Sequence, residues 1–180
     1  MNNAQPSQFV RRYLDEIPKA KGPVLDLACG SGRHTRLLLA AGYEVWAVDR
    51  DSDSLAELEQ LGAKCFHLDL EQEGFKWPFV NEQFACIVVT NYLHRPLMAS
   101  ILQSLADHGV LIYETFAVGN EQYGRPRNPD FLLQENELLQ HFVCPAASGW
   151  RQQCLVFEHT YVNQITEAVV QRICIRRLRE

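Results

Sequence analysis

The sequence contains no apolar run long enough to cross a membrane, and its first residues, Met-Asn-Asn-Ala-Gln-Pro, lack the basic and apolar regions of a signal peptide. The first absence argues against a helical membrane protein, and the second gives no indication of secretion. We therefore expect a soluble protein that works in the cytoplasm and has no membrane partner.

Paired cysteines are also lacking. None of the six cysteines belongs to a Cys-x-x-Cys pair, and several lie in apolar, strand-like patterns such as residues 84–89. This distribution is typical of reduced core thiols in a cytosolic protein and not of disulfides or zinc sites. No metal site is predicted, because paired ligand spacing is absent among His67, His108, His141 and His159.

A basic excess is missing too. The chain has 17 Lys and Arg against 22 Asp and Glu, a net charge of −5, and its basic residues are scattered apart from four arginines near the C-terminus. This charge distribution offers no electrostatic footprint for nucleic acid, so we expect a small-molecule substrate. With 180 residues and 47% hydrophobic content, the chain predicts a single domain over 1–180. The oligomeric state is left open.

Strand-like and helix-like segments alternate along most of the chain. β-branched runs bounded by glycine and separated by helical patterns predict a parallel sheet covered by helices on both faces. The last two strand-like runs, 154–161 and 168–176, are too close for a crossover helix and should pair antiparallel. The earlier elements are predicted at 7–17 (helix), 24–27 (strand), 33–41 (helix), 44–49 (strand), 53–61 (helix), 64–68 (strand), 84–90 (strand), 96–105 (helix), 109–115 (strand) and 132–142 (short helix).

A glycine turn follows the first predicted strand. Residues 24–32 read Val-Leu-Asp-Leu-Ala-Cys-Gly-Ser-Gly, and the second strand ends in Asp49. Gly30 and Gly32 allow a sharp turn and a close approach of backbone N–H groups to a ligand, and the helix beginning near Arg33 directs its positive end at an anionic group. Asp49 can accept both hydroxyls of a ribose. These features together predict a nucleotide-cofactor site.

A nicotinamide-dinucleotide site has a related signature, Gly-x-Gly-x-x-Gly after a first strand. Counted from Gly30, the third glycine is replaced by Thr35. Asp26, at the end of the first strand, would repel a pyrophosphate, whereas it suits a ligand that carries an ammonium group. The pattern therefore disfavours a dinucleotide-binding site but leaves it as an alternative.

The same residues resemble the first motif of the class I S-adenosylmethionine-dependent methyltransferases, acidic-x-Gly-x-Gly-x-Gly, which is followed by a strand that ends in an acidic residue. The chain departs from this motif at Ala28, which replaces the first glycine. The resemblance implies an α/β fold, with a doubly wound, mostly parallel seven-stranded sheet of order 3-2-1-4-5-7-6 whose last strand is antiparallel. We expect the N-terminal helix, within 1–22, to lie over the cofactor crevice.

The resemblance also implies S-adenosylmethionine as the cofactor. Asp69 and Leu70, at the end of the third strand, take the positions that bond the adenine in this family. The loop 90–96, after the fourth strand, should face both the cofactor and the substrate. The residues predicted to bind the cofactor are Asp26, Ala28, Gly30, Gly32, Arg33, His34, Asp49, Arg50, Asp69, Leu70 and Asn91.

The loop 90–96 reads Thr-Asn-Tyr-Leu-His-Arg-Pro and not Asn-Pro-Pro-Tyr, so the resemblance does not extend to enzymes that methylate exocyclic amines of bases or glutamine amides. The cofactor half of the chain is similar to the tellurite-resistance type of small bacterial methyltransferases. The segment 114–142 contains a long loop rich in glycine and proline, and such a loop within a compact domain predicts a substrate lid.

Transfer of a sulfonium methyl is an in-line displacement that needs alignment and desolvation more than a strong base. If the acceptor must lose a proton, His94 is the best base because its ordinary pKa lies near neutrality. The residues predicted to take part in catalysis are His94, Tyr92, Glu114, Tyr123 and Arg125.

An anionic acceptor would need cations, and Arg95, Arg125 and Arg127 are the candidate clamps because guanidinium binds oxyanions bidentately. We therefore predict an S-adenosylmethionine-dependent methyltransferase that acts on a small molecule, with an anion as one option. A NAD-binding Rossmann oxidoreductase, and a protein that binds the cofactor or a partner without transferring methyl, are the alternatives.

Overall fold

A computed structural model describes residues 5–143, 149–163 and 167–180 of the chain. Seven strands form one sheet, in the order β3-β2-β1-β4-β5-β7-β6. The strands are β1 (Val24–Leu27), β2 (Val45–Asp49), β3 (Lys64–His67), β4 (Phe84–Thr90), β5 (Leu105–Phe116), β6 (Trp150–Asn163) and β7 (Glu167–Arg179). The helices are α1 (Gln8–Arg12), α2 (Arg33–Ala40), α3 (Ser52–Gln60), α4 (Met98–Ser104) and α5 (Glu137–Phe142), and short 3-10 turns lie at Leu14–Glu16, Arg95–Leu97, Asn120–Gln122 and Pro129–Phe131.

The first five strands are parallel to one another. The central strands β1 and β4 are buried along almost their whole length, as expected for aliphatic runs covered by helices on both faces. Because these strands share one direction, the loops after β1, β2, β3 and β4 all emerge at the same edge of the sheet. The glycine turn, Asp49 and the loop 90–96 are therefore brought together by topology alone.

The other end of the sheet is antiparallel. β7 runs antiparallel to both β5 and β6, with Glu114 of β5 opposite Arg172 of β7. The fold class and the strand order implied by the sequence resemblance, 3-2-1-4-5-7-6, are confirmed.

Helices cover the two faces of the sheet unequally. On one face α1, α2 and α3 pack on alternate residues of the strands, with Val10, Leu38 and Leu58 fully buried there. On the other face α4 and α5 enclose a larger core that includes Phe84 and Phe142. Burial of side chains on both faces is the hydrophobic contribution that fixes the parallel strands in place.

Several element boundaries differ from those expected. β5 begins at Leu105, earlier than predicted, because a bulge opposite Phe84 carries the strand through His108, which has a φ of 64°. The predicted helix 7–17 ends at Arg12 and continues as a 3-10 turn. The helix expected between 132 and 142 begins only at Glu137, since Leu133 instead bridges to Ala117.

None of the helices in the described ranges combines the length and the apolar character needed to cross a membrane. The cysteines in those ranges are free thiols, at positions Cys29, Cys65, Cys86, Cys154 and Cys174.

Packing against α3 explains the glycine at position 32. Gly32 precedes α2 with a φ of 76°, and a Cβ atom there would collide with the side chain of Leu58. Gly30 has a φ of 54°, but a Cβ atom there meets nothing within 4 Å. Gly32 therefore lies against the core, whereas Gly30 lies against open space.

We expect Gly32→Ala to lower the free energy of unfolding by about 2 kcal/mol or more, since it adds a collision to the cost of a left-handed residue. Gly30→Ala should cost only about 1 kcal/mol, because it adds the backbone term alone. In a Leu58→Ala background, the cost of Gly32→Ala should fall to that of Gly30→Ala. Chemical denaturation of the four variants measures these differences, and an undiminished cost in that background would contradict the collision.

Candidate active site

A crevice of about 280 Å³ opens at the carboxyl ends of the parallel strands. Five of the residues predicted to bind the cofactor line it, and they come from the ends of β1, β2 and β3: Ala28, Asp49, Arg50, Asp69 and Leu70. Leu68, Glu71 and Tyr92 complete the lining. Residues distant in the sequence therefore form one concave surface at the position where open α/β sheets bind their ligands.

Asp49 holds the glycine turn that forms one side of the crevice. Its Oδ2 atom accepts a hydrogen bond of 2.7 Å from the N–H of Gly30, and its Oδ1 atom accepts one of 3.0 Å from the N–H of Asp51. Ala28, the departure from the glycine motif, has a φ of 54°. The left-handed conformation that the motif's glycine would adopt freely is thus retained by an alanine, at a cost in backbone energy.

Asp26 is buried beneath this turn. The Oγ1 atom of Thr35 donates a hydrogen bond of 2.6 Å to its Oδ2 atom, so the carboxyl group joins the end of β1 to the first turn of α2. Burial raises the pKa of Asp26 to about 6, against the lowering effect of its bonds with Thr35. Thr35 occupies the position where a dinucleotide motif would have its third glycine, and its structural partner there is Asp26.

His34 is also buried, and it connects three segments. Its Nε2 atom accepts a hydrogen bond of 3.0 Å from the N–H of Ser7, which precedes α1, and its Nδ1 atom lies 3.3 Å from Oγ1 of Thr90. Burial, together with the charges of Arg33 and Arg11, lowers its pKa to about 3. A neutral His34 therefore holds the N-terminal segment against the end of β4, and it is not among the residues lining the crevice.

A second cavity of about 420 Å³ adjoins the crevice. Arg50, Glu71 and Tyr92 line both spaces, and Asn91 lines the second one. The remaining walls are mostly apolar, formed by Leu93, Thr115, Phe116, Pro126 and Phe131. Sequence reasoning singled out none of these five or Glu71, although Thr115 and Phe116 end β5 and could have been found from the rule that strand ends face the ligand.

The hydroxyl of Tyr92 is the polar feature of this shared wall. Within the described ranges it is buried without a well-formed hydrogen bond, although the carboxylate of Glu71 lies beside it, and burial followed by the charge of Glu71 raises the pKa of Tyr92 above its ordinary value. A buried donor without a partner is costly unless a ligand satisfies it.

The other residues predicted for catalysis lie elsewhere. Glu114 is 7% exposed and forms an ion pair with Arg172 across β5 and β7. His94 lines a separate cleft with Trp77, and Tyr123 packs against Tyr161 with ring centroids 5.0 Å apart and the ring planes tilted by 46°. Arg125 is exposed. Of the catalytic set, only Tyr92 lines the cavity.

The predicted anion clamps are also dispersed. Arg95 binds Glu137 through Nε at 2.6 Å and donates to the carbonyl oxygens of Asp130 and Leu132, so its guanidinium is engaged within the protein. Arg125 and Arg127 are exposed and do not line the cavity. Arg50 is the arginine that lines both spaces. Within the described ranges, no cluster of His, Cys, Asp and Glu could hold a metal ion.

Comparison with known proteins agrees with this geometry. A protein-family model described as a methyltransferase domain matches residues 24–109, which contain β1 to β4 and the crevice. The probable S-adenosyl-L-methionine-dependent methyltransferase TehB of Haemophilus influenzae is 27% identical over 126 residues, covering 66% of this chain. In this domain and in this relative, the chain is similar to S-adenosylmethionine-dependent methyltransferases.

Solved structures confirm the methyltransferase fold over nearly the whole chain. The crystal structure of TehB from Haemophilus influenzae has a TM-score of 0.72 at 19% identity and covers 97% of this chain and 63% of that chain. A methyltransferase from Methanosarcina mazei has a TM-score of 0.64 at 16% identity and covers 98% of this chain and 100% of that one. The chain spans 44% of the length of the curated TehB that it matches.

S-adenosylmethionine is the cofactor that the matched methyltransferase domain and the TehB relative imply, and the alternatives considered from the sequence are not favoured. The residues present fit such a group. The open space beside Gly30 leaves its backbone accessible, and acidic side chains, Asp49 and Asp69, lie at two strand ends along the crevice.

Burial of Asp26 predicts a specific pH dependence of stability. The pKa of Asp26 is raised in the folded protein, from 3.8 to about 6, so its contribution is fully present below pH 3.8 and is lost as the pH rises through about 6. The free energy of unfolding of the wild type, relative to that of Asp26→Asn, should therefore fall across this window.

Denaturant titrations at a series of pH values measure this difference. Asp53→Asn, on the exposed first turn of α3, is the control for removing a carboxylate. A difference between wild type and Asp26→Asn that stays constant with pH would show that burial does not raise this pKa.

Proposed function

We propose that the chain binds S-adenosylmethionine in the crevice and transfers its methyl group to a small molecule held in the adjoining cavity. The observation that carries this proposal is the wall shared by the two spaces, formed by Arg50, Glu71 and Tyr92. Two ligands in adjoining spaces have the arrangement that a direct displacement between them requires.

On the cofactor side, we assign Asp49 to the ribose hydroxyls and Asp69 with Leu70 to the adenine. The open space beside Gly30 leaves room for the cofactor against the turn, while Asp49 holds the N–H of Gly30. When bound, S-adenosylmethionine supplies a methyl group that its sulfonium already activates. We propose that the N-terminal segment, which a hydrogen bond from Ser7 joins to His34, closes one side of the crevice.

On the acceptor side, the chain offers walls that exclude water. Tyr92, Phe116 and Phe131 present aromatic surface, and the unpartnered hydroxyl of Tyr92 can donate a hydrogen bond to an acceptor group. Because the pKa of Tyr92 is raised, this hydroxyl stays protonated and orients the acceptor without removing its proton. Catalysis then rests on alignment and desolvation.

An anionic acceptor remains an option, and its counter-ion would be Arg50, the arginine that lines the cavity. Arg95 is already bound to Glu137, which leaves no free fork for a substrate. A small acceptor with an apolar part and at most one charge therefore fits the walls best.

The lid that we propose is shorter than the predicted segment 114–142 and consists of residues 121–131. Its two ends are fixed to the fold, since the N–H of Ala117 donates to the carbonyl of Val169 at 2.9 Å and the N–H of Leu133 donates to the carbonyl of Phe116 at 3.0 Å. Between them, 121–131 is largely exposed, and its Pro126 and Phe131 line the cavity. We propose that this part closes over the acceptor, with Tyr123 and Arg125 on its outer surface as candidate contacts.

Replacement of Asp49 tests the cofactor site. Asp49→Ala should weaken S-adenosylhomocysteine binding more than tenfold, because charge-assisted hydrogen bonds to the ribose, about 1.5–3 kcal/mol each, are lost. Asp49→Asn keeps an acceptor for the N–H of Gly30 and so separates the loss of charge from loosening of the turn.

Titration calorimetry of both variants gives the dissociation constants, with Asp53→Ala as the matched control on the exposed start of α3. An affinity of Asp49→Ala equal to that of the wild type would remove the proposed cofactor site. Parallel titration with NAD distinguishes the oxidoreductase alternative.

Replacement of Phe131 tests the acceptor cavity. Phe131→Ala should leave S-adenosylhomocysteine affinity within about threefold, under 1 kcal/mol, and lower the rate of methyl transfer by about tenfold or more, because the acceptor loses a wall that aligns it. Val118→Ala, an exposed residue outside the cavity lining, is the control.

The readout is S-adenosylhomocysteine released from S-adenosylmethionine over a panel of small thiols, amines, phenols and carboxylates. Equal rates for Phe131→Ala and Val118→Ala on an accepted substrate would place the acceptor elsewhere. Cofactor binding without release over such a panel would favour the binding-protein alternative.

A further inference from the structure

A third cavity, of about 310 Å³, lies between the helices α4 and α5 and the strands β6 and β7. Its walls include Ala99, Leu102, Gln103, His141, Gln152 and Arg177. None of these residues lines the crevice or the acceptor cavity.

This cavity is at the opposite edge of the sheet from the cofactor. Arg176 of β7 pairs with Val110, the sixth of the twelve residues of β5, whereas Arg172 pairs with Glu114 near the carboxyl end of that strand. At ~3.4 Å per residue, Arg177 lies about 17 Å along β7 from Arg172. A ligand here would therefore not touch the methyl-transfer site.

Among the residues that the structure describes, no carboxylate pairs with the buried cation of Arg177. It is 6% exposed, and its Nη1 atom donates to the carbonyl oxygens of Gln103 at 2.9 Å and Leu105 at 2.5 Å. The ring of Trp150 covers one face of the guanidinium, with its centroid 3.6 Å from Cζ. The guanidinium is held rigidly, yet its Nε atom is buried with no hydrogen-bond partner.

The other arginines at this end of the chain are all paired, which makes Arg177 the exception. Of the acids whose charges act on the pKa of Arg177, Glu82 pairs with the guanidinium of Arg179, and Asp107 accepts a hydrogen bond from the backbone N–H of Arg179. The pairs formed by the neighbours are Arg172 with Glu114, Arg176 with Glu16 and Arg179 with Glu82. A buried charge without a partner is strongly unfavourable, so an anion is the missing element.

Gln152 supplies a second unpartnered donor. It lies directly opposite Arg177 in the pairing of β6 with β7, and its Nε2 atom is buried without a hydrogen bond. Three buried side-chain atoms lack a partner in the described ranges, and two of them belong to residues lining this cavity. In native proteins nearly all buried donors have a hydrogen-bond partner. Two buried donors without a partner on one cavity wall, Nε of Arg177 and Nε2 of Gln152, therefore indicate a ligand.

The walls decide which kind of anion fits. Arg177 is the single arginine on the cavity, and Glu137, the acid 3.7 Å from His141, is already bound to Arg95. One free positive charge matches a monoanion better than a doubly charged phosphate. Ala99 and Leu102 offer apolar contact to the rest of the molecule.

We propose that this cavity is a binding site for a small organic carboxylate, whose oxygens accept from Nε and Nη2 of Arg177 and from Nε2 of Gln152, with its apolar body against Ala99 and Leu102. The Nε and Nη2 atoms lie on one edge of the guanidinium, and such an edge binds a carboxylate bidentately. The site lies outside the proposed methyltransferase activity and does not depend on it.

The test is a titration of the full chain, saturated with S-adenosylhomocysteine so that the crevice is filled, with butanoate, benzoate and inorganic phosphate. Binding is followed by NMR shifts of the backbone amides of Gln103 and Gln152. We expect saturable shifts with butanoate or benzoate at a dissociation constant of about 10 mM or tighter, and weaker binding of phosphate.

Gln152→Leu should weaken carboxylate binding by about tenfold or more, because it removes a donor to a charged acceptor. Gln153→Leu, the exposed neighbour on β6 that does not line the cavity, should leave the affinity unchanged. Arg177→Lys keeps a charge but loses the planar fork, and should also weaken binding if it folds.

Three results would overturn the proposal. These are no saturable shift with either carboxylate, equal weakening by Gln152→Leu and Gln153→Leu, and tighter binding of phosphate than of both carboxylates. Because Gln152→Leu leaves Arg177 in place, the proposal stays testable even if Arg177→Lys is unstable.

Discussion

The turn between β1 and α2 is held by two carboxylates from neighbouring strands, and the geometry of the crevice depends on them. Asp26, from β1, bonds Thr35 in the first turn of α2, and Asp49, from β2, bonds the N–H of Gly30. One carboxylate is buried and supports the turn from below, and the other faces the crevice. The parallel sheet makes this possible because adjacent parallel strands end side by side at one edge.

Around this turn the protein tolerates polar burial that would otherwise be costly. Burial shifts the pKa of Asp26 upward and that of His34 downward, so both groups move toward their neutral forms. Each also bonds a segment that must be fixed: Thr35 at the start of α2 and Ser7 before α1. His34, with a pKa of about 3, is neutral above that pH, whereas Asp26, with a pKa of about 6, becomes charged above pH 6 and then relies on its bonds with Thr35.

The use of arginine illustrates why side-chain roles are hard to assign from sequence. Arg95 looked like an anion clamp in the loop after β4, but the fold brings Glu137 of α5 within 2.6 Å of its Nε. Glu114 looked like a base at a strand end, but the antiparallel neighbour β7 places Arg172 opposite it. In contrast, Arg177 stands among paired arginines and has no carboxylate. Pairing is decided by strand register and helix packing, which local sequence does not encode.

The sequence by itself determined the fold class, the strand order through its resemblance, and five of the residues that line the crevice at strand ends, because periodicity, glycines and terminal acids are local signals. Only the tertiary structure decided that Gly32 lies against Leu58, that β5 begins at Leu105 through a bulge, and that a second cavity shares Tyr92 with the crevice. These features depend on contacts between segments far apart in the chain, where side chains of one element fill or leave space beside another.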